Sequence, residues 1–137
     1  MNRAEILKNR QTVIAFLKDP AREKCIGVLE DPSNPNARCC LGHMCAVFGA
    51  ERKTIEHDVY YDKEITTAPQ IVIKSIGLHD RFGSGYKHFT YNNFIYSSLI
   101  QMNDSGNLTP QEIGAYLESV IEGGPDTPWK SLNEYLE

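Results

Sequence analysis

The densest run of reactive side chains in this sequence is Arg38-Cys39-Cys40-Leu41-Gly42-His43-Met44-Cys45. A helix is predicted to open at Cys40, and the backbone N–H dipoles of a helix start favour a thiolate. A cysteine nucleophile also needs a base and an orienting group. His57, His79 or His88 offers the base, and Asn103 or Asp104 offers the second group, in the chain order Cys, His, Asn or Asp. The catalytic set carried forward as an alternative is Cys40 or Cys39 with His79 and Asp104.

Zinc would require Cys25, Cys40, His43 and Cys45 to surround one ion. No C-x-x-C pair is present, and His43 and Cys45, two residues apart on a helix, diverge. The reading that needs no chemistry is packing, with cysteines as small hydrophobes filling a tight hairpin-to-helix junction. Nothing in the sequence implies secretion, so the four cysteines are expected as free thiols in a reducing cytoplasm. Neither a metal nor a cofactor is expected.

A second group of residues suits an anion. Arg81, Lys87 and His88 interleave with Phe82, Tyr86, Phe89 and Tyr91. Cations take phosphate, and aromatic rings stack on a base. Arg38, at a predicted helix start, adds an anion-binding position. The candidate ligand residues are Arg38, His43, Arg81, Tyr86, Lys87 and His88, and the ligand is a small nucleotide-like anion such as a cyclic nucleotide.

A third pattern runs from Gln101 to Glu112 and is similar to an EF-hand calcium loop. Gly106 stands where the sharp turn needs glycine, Leu108 at the central apolar position and Glu112 at the bidentate position. The first position is Gln101 rather than Asp. Glu112 is the one anionic ligand in line, and Thr109-Pro110-Gln111-Glu112 already uses it as a capping box. An EF-hand-like helix-loop-helix without a metal is the expectation.

The elements that must hold these residues follow from periodicity and punctuation. Residues 3–18 predict a helix with Ile6, Leu7, Val13, Ile14 and Leu17 at helical spacing, ended by Asp19-Pro20. Residues 24–30 read as a strand, 31–36 as turn, and 37–39 as the returning strand of a small hairpin. A second helix runs from Cys40 to Gly49, and residues 51–66 are irregular, with Tyr60-Tyr61 briefly extended. A third helix starts at Thr67-Ala68-Pro69 and ends at Gly77. Residues 80–92 read as a loop. Asn92 or Asn93 is expected to cap a helix bearing Ile95, Leu99 and Met102. The next starts at Thr109 and stops at Gly123-Gly124, and a short last helix runs from Thr127-Pro128 to Leu136. The fold class is α+β, mainly helical, with five to six helices and one small β-hairpin in a single domain, 1–137.

Composition excludes more than it selects. The chain has 137 residues, a net charge of -4, 41% hydrophobic and 23% charged residues. That is too apolar for disorder, and no apolar run approaches the roughly 18 residues a membrane span needs. A mildly acidic sum disfavours broad nucleic-acid binding, which is driven by counterion release. The start, Met-Asn-Arg-Ala-Glu, is followed by no secretory apolar region, so export is not expected.

Cys39-Cys40-Leu41-Gly42-x-x-Cys45, then Ala68-Pro69 through Ile76-Gly77-Leu78, then Met102-Asn103-Asp104-x-Gly106-x-Leu108-Thr109-x-x-Glu112-Ile113 occur in one order along most of the chain. In this the sequence resembles a family of small tailed-phage accessory proteins with a CCLG-x-x-C motif and a C-terminal LND-x-G-L-S/T-x-x-EIA-like helix pair. Met102 stands where that pattern has leucine, and Gly114 where it has alanine. The family has no assigned activity, so the resemblance implies context rather than a site. That context is a phage protein in the cytoplasm of the infected bacterial host, with counter-defence as the expected role. Three functions follow as expectations: a homo-oligomer that sequesters the anionic ligand, a cysteine-dependent hydrolase or transferase, or a protein–protein inhibitor of a host factor.

Overall fold

Asn2 fixes where the first helix begins. Its side chain accepts from the Glu5 N–H at 2.9 Å, while its own N–H donates to Glu5 Oε2 at 3.0 Å. The resulting helix α1 (Arg3–Lys18) ends before Asp19-Pro20, as its sequence predicts. The computed structural model describes residues 1–105 and 107–137.

A three-stranded sheet follows, formed by β1 (Glu23–Lys24), β2 (Glu30–Asp31) and β3 (Asn34–Arg38) in the order β1-β3-β2. β1 runs parallel to β3 and β2 antiparallel to it. The single strand expected over 24–30 is therefore two short pieces, because Gly27 takes φ +82° and turns the chain between them. Helix α2 (Cys40–Phe48) begins at the Cys39 cap and ends on Gly49, in the left-handed region at φ +70°. Gly42 is required for close approach: a Cβ there would strike the Leu29 carbonyl.

Residues 51–66, read as irregular, contain a hairpin of β4 (Arg52–Ile55) and β5 (Asp58–Tyr61). Helix α3 (Gln70–Ile76) ends on Gly77, as expected. The expected loop and the first turns of the expected helix are a second hairpin, β6 (Ser84–Tyr91) and β7 (Phe94–Ser98). Asn92 and Asn93 both have positive φ, +51° and +66°, and form its tip rather than a helix cap. Helix α4 (Leu99–Asp104) begins only after Ser98, whose hydroxyl accepts from the Gln101 N–H at 3.1 Å. Ile95, Leu99 and Met102 fit a helical period by coincidence, with Ile95 on the strand.

Helix α5 (Pro110–Ser119) opens with the predicted capping box: Glu112 N–H donates to Thr109 Oγ1 at 3.1 Å and Thr109 N–H to Glu112 Oε1 at 3.0 Å. The expected last helix is a single 3-10 turn over Leu132–Glu134. With the 3-10 turn counted, the described residues are 38% helical and 24% strand, so the class is α+β without being mainly helical. The first helix of the EF-hand-like reading is shortened to the six residues of α4, and Gln101 Oε1 accepts from Ser97. Gly106, on which the sharp turn of that reading rests, lies outside the described residues.

One apolar cluster runs through the molecule, from Val13 and Leu17 of α1 through Leu41 and Met44 of α2 to Ile113 and Leu117 of α5 and Trp129. Inside it lies a charge that sequence reasoning missed. Arg10 is wholly buried, with its guanidinium 4.6 Å from the Trp129 ring. It donates to the carbonyls of Ile76 at 2.8 Å, Ile121 at 2.9 Å and Lys130 at 2.7 Å, so one side chain satisfies three backbone carbonyls from separate segments. Burial lowers its pKa to about 10, which leaves it charged at neutral pH. Among the described residues, no helix is long and apolar enough to cross a membrane.

Candidate functional site

The cysteine run folds as a junction. Cys39 caps α2, and its Sγ accepts from the Gly42 N–H at 3.4 Å. Cys40 is buried and its thiol faces the Leu99 carbonyl at 3.7 Å. Asn103 reaches across from α4. Its Oδ1 accepts from the Cys40 N–H at 3.0 Å, and its Nδ2 donates to the Cys25 carbonyl at 2.9 Å and to Asp104 Oδ1 at 3.0 Å. Asp104 Oδ1 also accepts from the Gly27 N–H at 3.2 Å.

Cys40 and Asp104 are thus joined through Asn103, while His79 is engaged elsewhere. The His79 Nε2 meets the Gly124 carbonyl at 2.9 Å, and its ring stacks at 4.5 Å on Tyr86. His57 is exposed in the β4–β5 turn and His88 is exposed on β6. The thiolate activation expected from the helix start is reversed by burial. Desolvation pushes Cys39 up to about 12, Cys40 well above its ordinary value and the half-buried Cys25 up to about 11. All four cysteines are free. Among the described residues, no group of three or more His, Cys, Asp or Glu side chains is placed to hold a metal ion.

Arg38, the first candidate anion ligand, is committed to a buried carboxylate. Its Nε lies 3.4 Å from Glu30 Oε1 and donates to the Tyr61 hydroxyl at 3.2 Å. Arg52 Nε donates to both Glu30 oxygens at 3.1 Å, and the Tyr61 hydroxyl donates to Glu30 Oε1 at 2.6 Å. Burial alone would raise the Glu30 pKa, but the hydrogen bonds from Arg52 and Tyr61 outweigh it and the net shift is downward. This network ties the first sheet to the β4–β5 hairpin. A glutamate directly after Leu29 carries no sequence signal that it is buried.

His43 also leaves the ligand set. It is wholly buried, its Nε2 2.7 Å from the Glu23 carbonyl and its Nδ1 without a partner. Nε2 therefore carries the proton, as the carbonyl can only accept. Desolvation, reinforced by Arg38 and Arg22, holds its pKa near 4 despite that bond.

Arg81, Tyr86, Lys87 and His88 remain at the surface. Tyr86 is 75% exposed although one side of its ring meets His79. Phe89 and Tyr91, from the same segment, turn inward onto the Tyr116 ring at 5.3 and 5.4 Å. The register shift between Ser84 and Phe89 bulges the strand, leaving Lys87 and His88 in succession on the outside. At the far end of the hairpin Phe94 and Ile95 are 61% and 64% exposed.

Beside the junction, a cavity of about 220 Å³ is lined by Gly27, Val28, Cys39, Thr66, Thr67, Phe82, Ile100 and Asp104. Its walls are mostly apolar, and two of the catalytic candidates, Cys39 and Asp104, share it. Periodicity could not find this cavity, because its lining comes from five separated stretches of chain. No family model, no curated protein and no solved structure matches the chain.

Proposed function

We propose that the protein is a non-catalytic binding protein for nucleotide-like anions, with the β6–β7 hairpin as its recognition surface. One observation carries this reading. Between Asp80 and Asp104 the chain has no acidic residue, although 18 lie elsewhere and the net charge is -4. Arg81, Lys87 and His88 stand exposed in that stretch beside the exposed Tyr86 ring. Lys87 and His88, with no acidic residue near them along the chain, keep their attraction for phosphate, Arg81 follows Asp80 directly, and the exposed ring offers a stacking face.

The ligand set is reduced to Arg81, Tyr86, Lys87 and His88. An open strand pair does not enclose a mononucleotide, so sequestration calls for a second copy over the same face. With the resemblance to tailed-phage accessory proteins, the reading extends to removal of a nucleotide signal in an infected bacterial cell. Calorimetry against a panel of cyclic nucleotides tests it. Binding that falls at least about tenfold in Arg81→Ala/Lys87→Ala supports it; no binding to any member of the panel ends it.

Phe94 and Ile95 favour a second reading, an inhibitor that docks on a host protein. Large apolar side chains at a hairpin tip are the kind that anchor an interface. A partner retained by the native chain and lost by Phe94→Ser/Ile95→Ser would support this reading over the first. The cysteine-enzyme reading draws no support from thiols that burial keeps protonated.

A further inference from the structure

The cavity beside Cys39 has a charge pattern opposite to that of the hairpin. Among the described residues, Asp104 contributes the sole charge on its wall, and Val28, Phe82 and Ile100 make that wall apolar. Asp104 Oδ1 is occupied by the Gly27 N–H and by Asn103 Nδ2. Oδ2 has no hydrogen-bond partner among the described residues, which leaves one carboxylate oxygen for a ligand. Thr66 adds a hydroxyl at the wall.

We propose that this cavity is a binding site for a small organic cation, an ammonium group on a compact apolar body. The carboxylate supplies the counter-charge, and the apolar walls take the body out of water. Size agrees: a cavity of about 150 Å³ accepts benzene, and this one holds about 220 Å³. An anion is excluded, because the single charge it would meet is negative. The site is therefore independent of the nucleotide reading and stands or falls separately. Arg81 sets a further condition. Its guanidinium lies 4.9 Å from the Phe82 ring, a like charge at the rim that weakens the attraction for an incoming ammonium.

Calorimetry on the full chain with phenethylammonium, phenethyl alcohol and 3-phenylpropionate tests the proposal. The ammonium is expected to bind at least about tenfold tighter than the alcohol, the usual margin of a charge-assisted hydrogen bond, and the carboxylate not at all. In Asp104→Asn the amide oxygen still accepts from Gly27, so the fold persists while ammonium affinity falls to that of the alcohol. Arg81→Ala is expected to tighten ammonium binding about two- to threefold, the opposite of its effect on a nucleotide. Val28→Phe fills the cavity and abolishes binding, a check that does not depend on Asp104. Titrated amide resonances should shift at Gly27 and Ile100. Equal affinity for all three probes, no binding by the ammonium, or unchanged ammonium binding in a folded Asp104→Asn protein would overturn the site.

Discussion

The Cys40 N–H donates to Asn103 Oδ1 at 3.0 Å across 63 residues of sequence. The same Asn103 side chain donates to the Cys25 carbonyl, so one buried amide joins the start of α2, the exit of β1 and the end of α4. Asn103→Ala leaves the Cys40 donor and the Cys25 acceptor without partners. A loss of about 2–4 kcal/mol is expected, since each buried unpaired polar group costs about 1–3 kcal/mol. Urea denaturation measures it. Asn103→Asp is expected to be no better, because it sets a carboxylate oxygen against the Cys25 carbonyl and Asp104. A loss below about 0.5 kcal/mol would show that water replaces the amide there.

Glu30 accepts from Arg52 and Tyr61 and is ion-paired with Arg38, and Glu30→Gln removes its charge while keeping its shape. Breaking a wholly buried pair costs about 3–5 kcal/mol. Here about 2–4 kcal/mol is expected, because the Arg52 side chain is 44% exposed and solvent recovers part of the loss. The folded-state pKa is lowered, so this stabilisation is complete above the unfolded carboxylate value and disappears as pH falls through the folded one. Wild type and Glu30→Gln should converge in stability at low pH, followed by thermal denaturation; a constant gap would contradict this.

His43 gives a separate pH window. Its folded pKa is near 4, against about 6.5 when unfolded, so between those values the unfolded chain holds the extra proton. Stability therefore falls as pH drops from about 6.5 to about 4, by up to about 3 kcal/mol. His43→Leu loses some stability at pH 7, because the Glu23 carbonyl is left unpaired, but should flatten the slope between pH 6.5 and 4.5. Urea midpoints across that range decide it, and an unchanged slope would assign the window to another group.

The cysteines should differ in reactivity. Cys25 is half-buried and the other three are buried. A thiol reagent added to the native protein is expected to modify Cys25 first, and all four only after unfolding. Its pKa near 11 makes that first reaction slow at pH 7, rising about tenfold per pH unit up to pH 10. Mass spectrometry of the labelled peptides reports the order. Rapid labelling of Cys39 or Cys40 at neutral pH would restore the nucleophile reading.

Helices whose ends are set by nearby residues were legible. Glu112 reaches Thr109 three positions back, Gly77 ends α3, and Asp19-Pro20 stops α1, all through interactions within one turn. The β6–β7 hairpin was not, because Ile95, Leu99 and Met102 satisfy a helical period. Two asparagines also serve a hairpin tip as readily as a cap. Arg38 and His43 were sound candidates by residue type, yet Glu30 on the neighbouring strand claims the first and the Glu23 carbonyl, 20 residues back, claims the second.

By itself, then, the sequence determined the Thr109 capping box, the ends of α1 and α3 and the acid-free stretch between Asp80 and Asp104, since these depend on neighbours along the chain. Tertiary structure alone decided which charges stay free. Burial and long-range partners bury Arg10 against three carbonyls, pair Arg38, neutralise His43 and keep the thiols protonated. They leave Arg81 and Lys87 exposed, and Asp104 Oδ2 without a hydrogen-bond partner among the described residues. The reason is physical: the free energy of a charge depends on the water and partners around it, and folding sets both from residues far away in sequence.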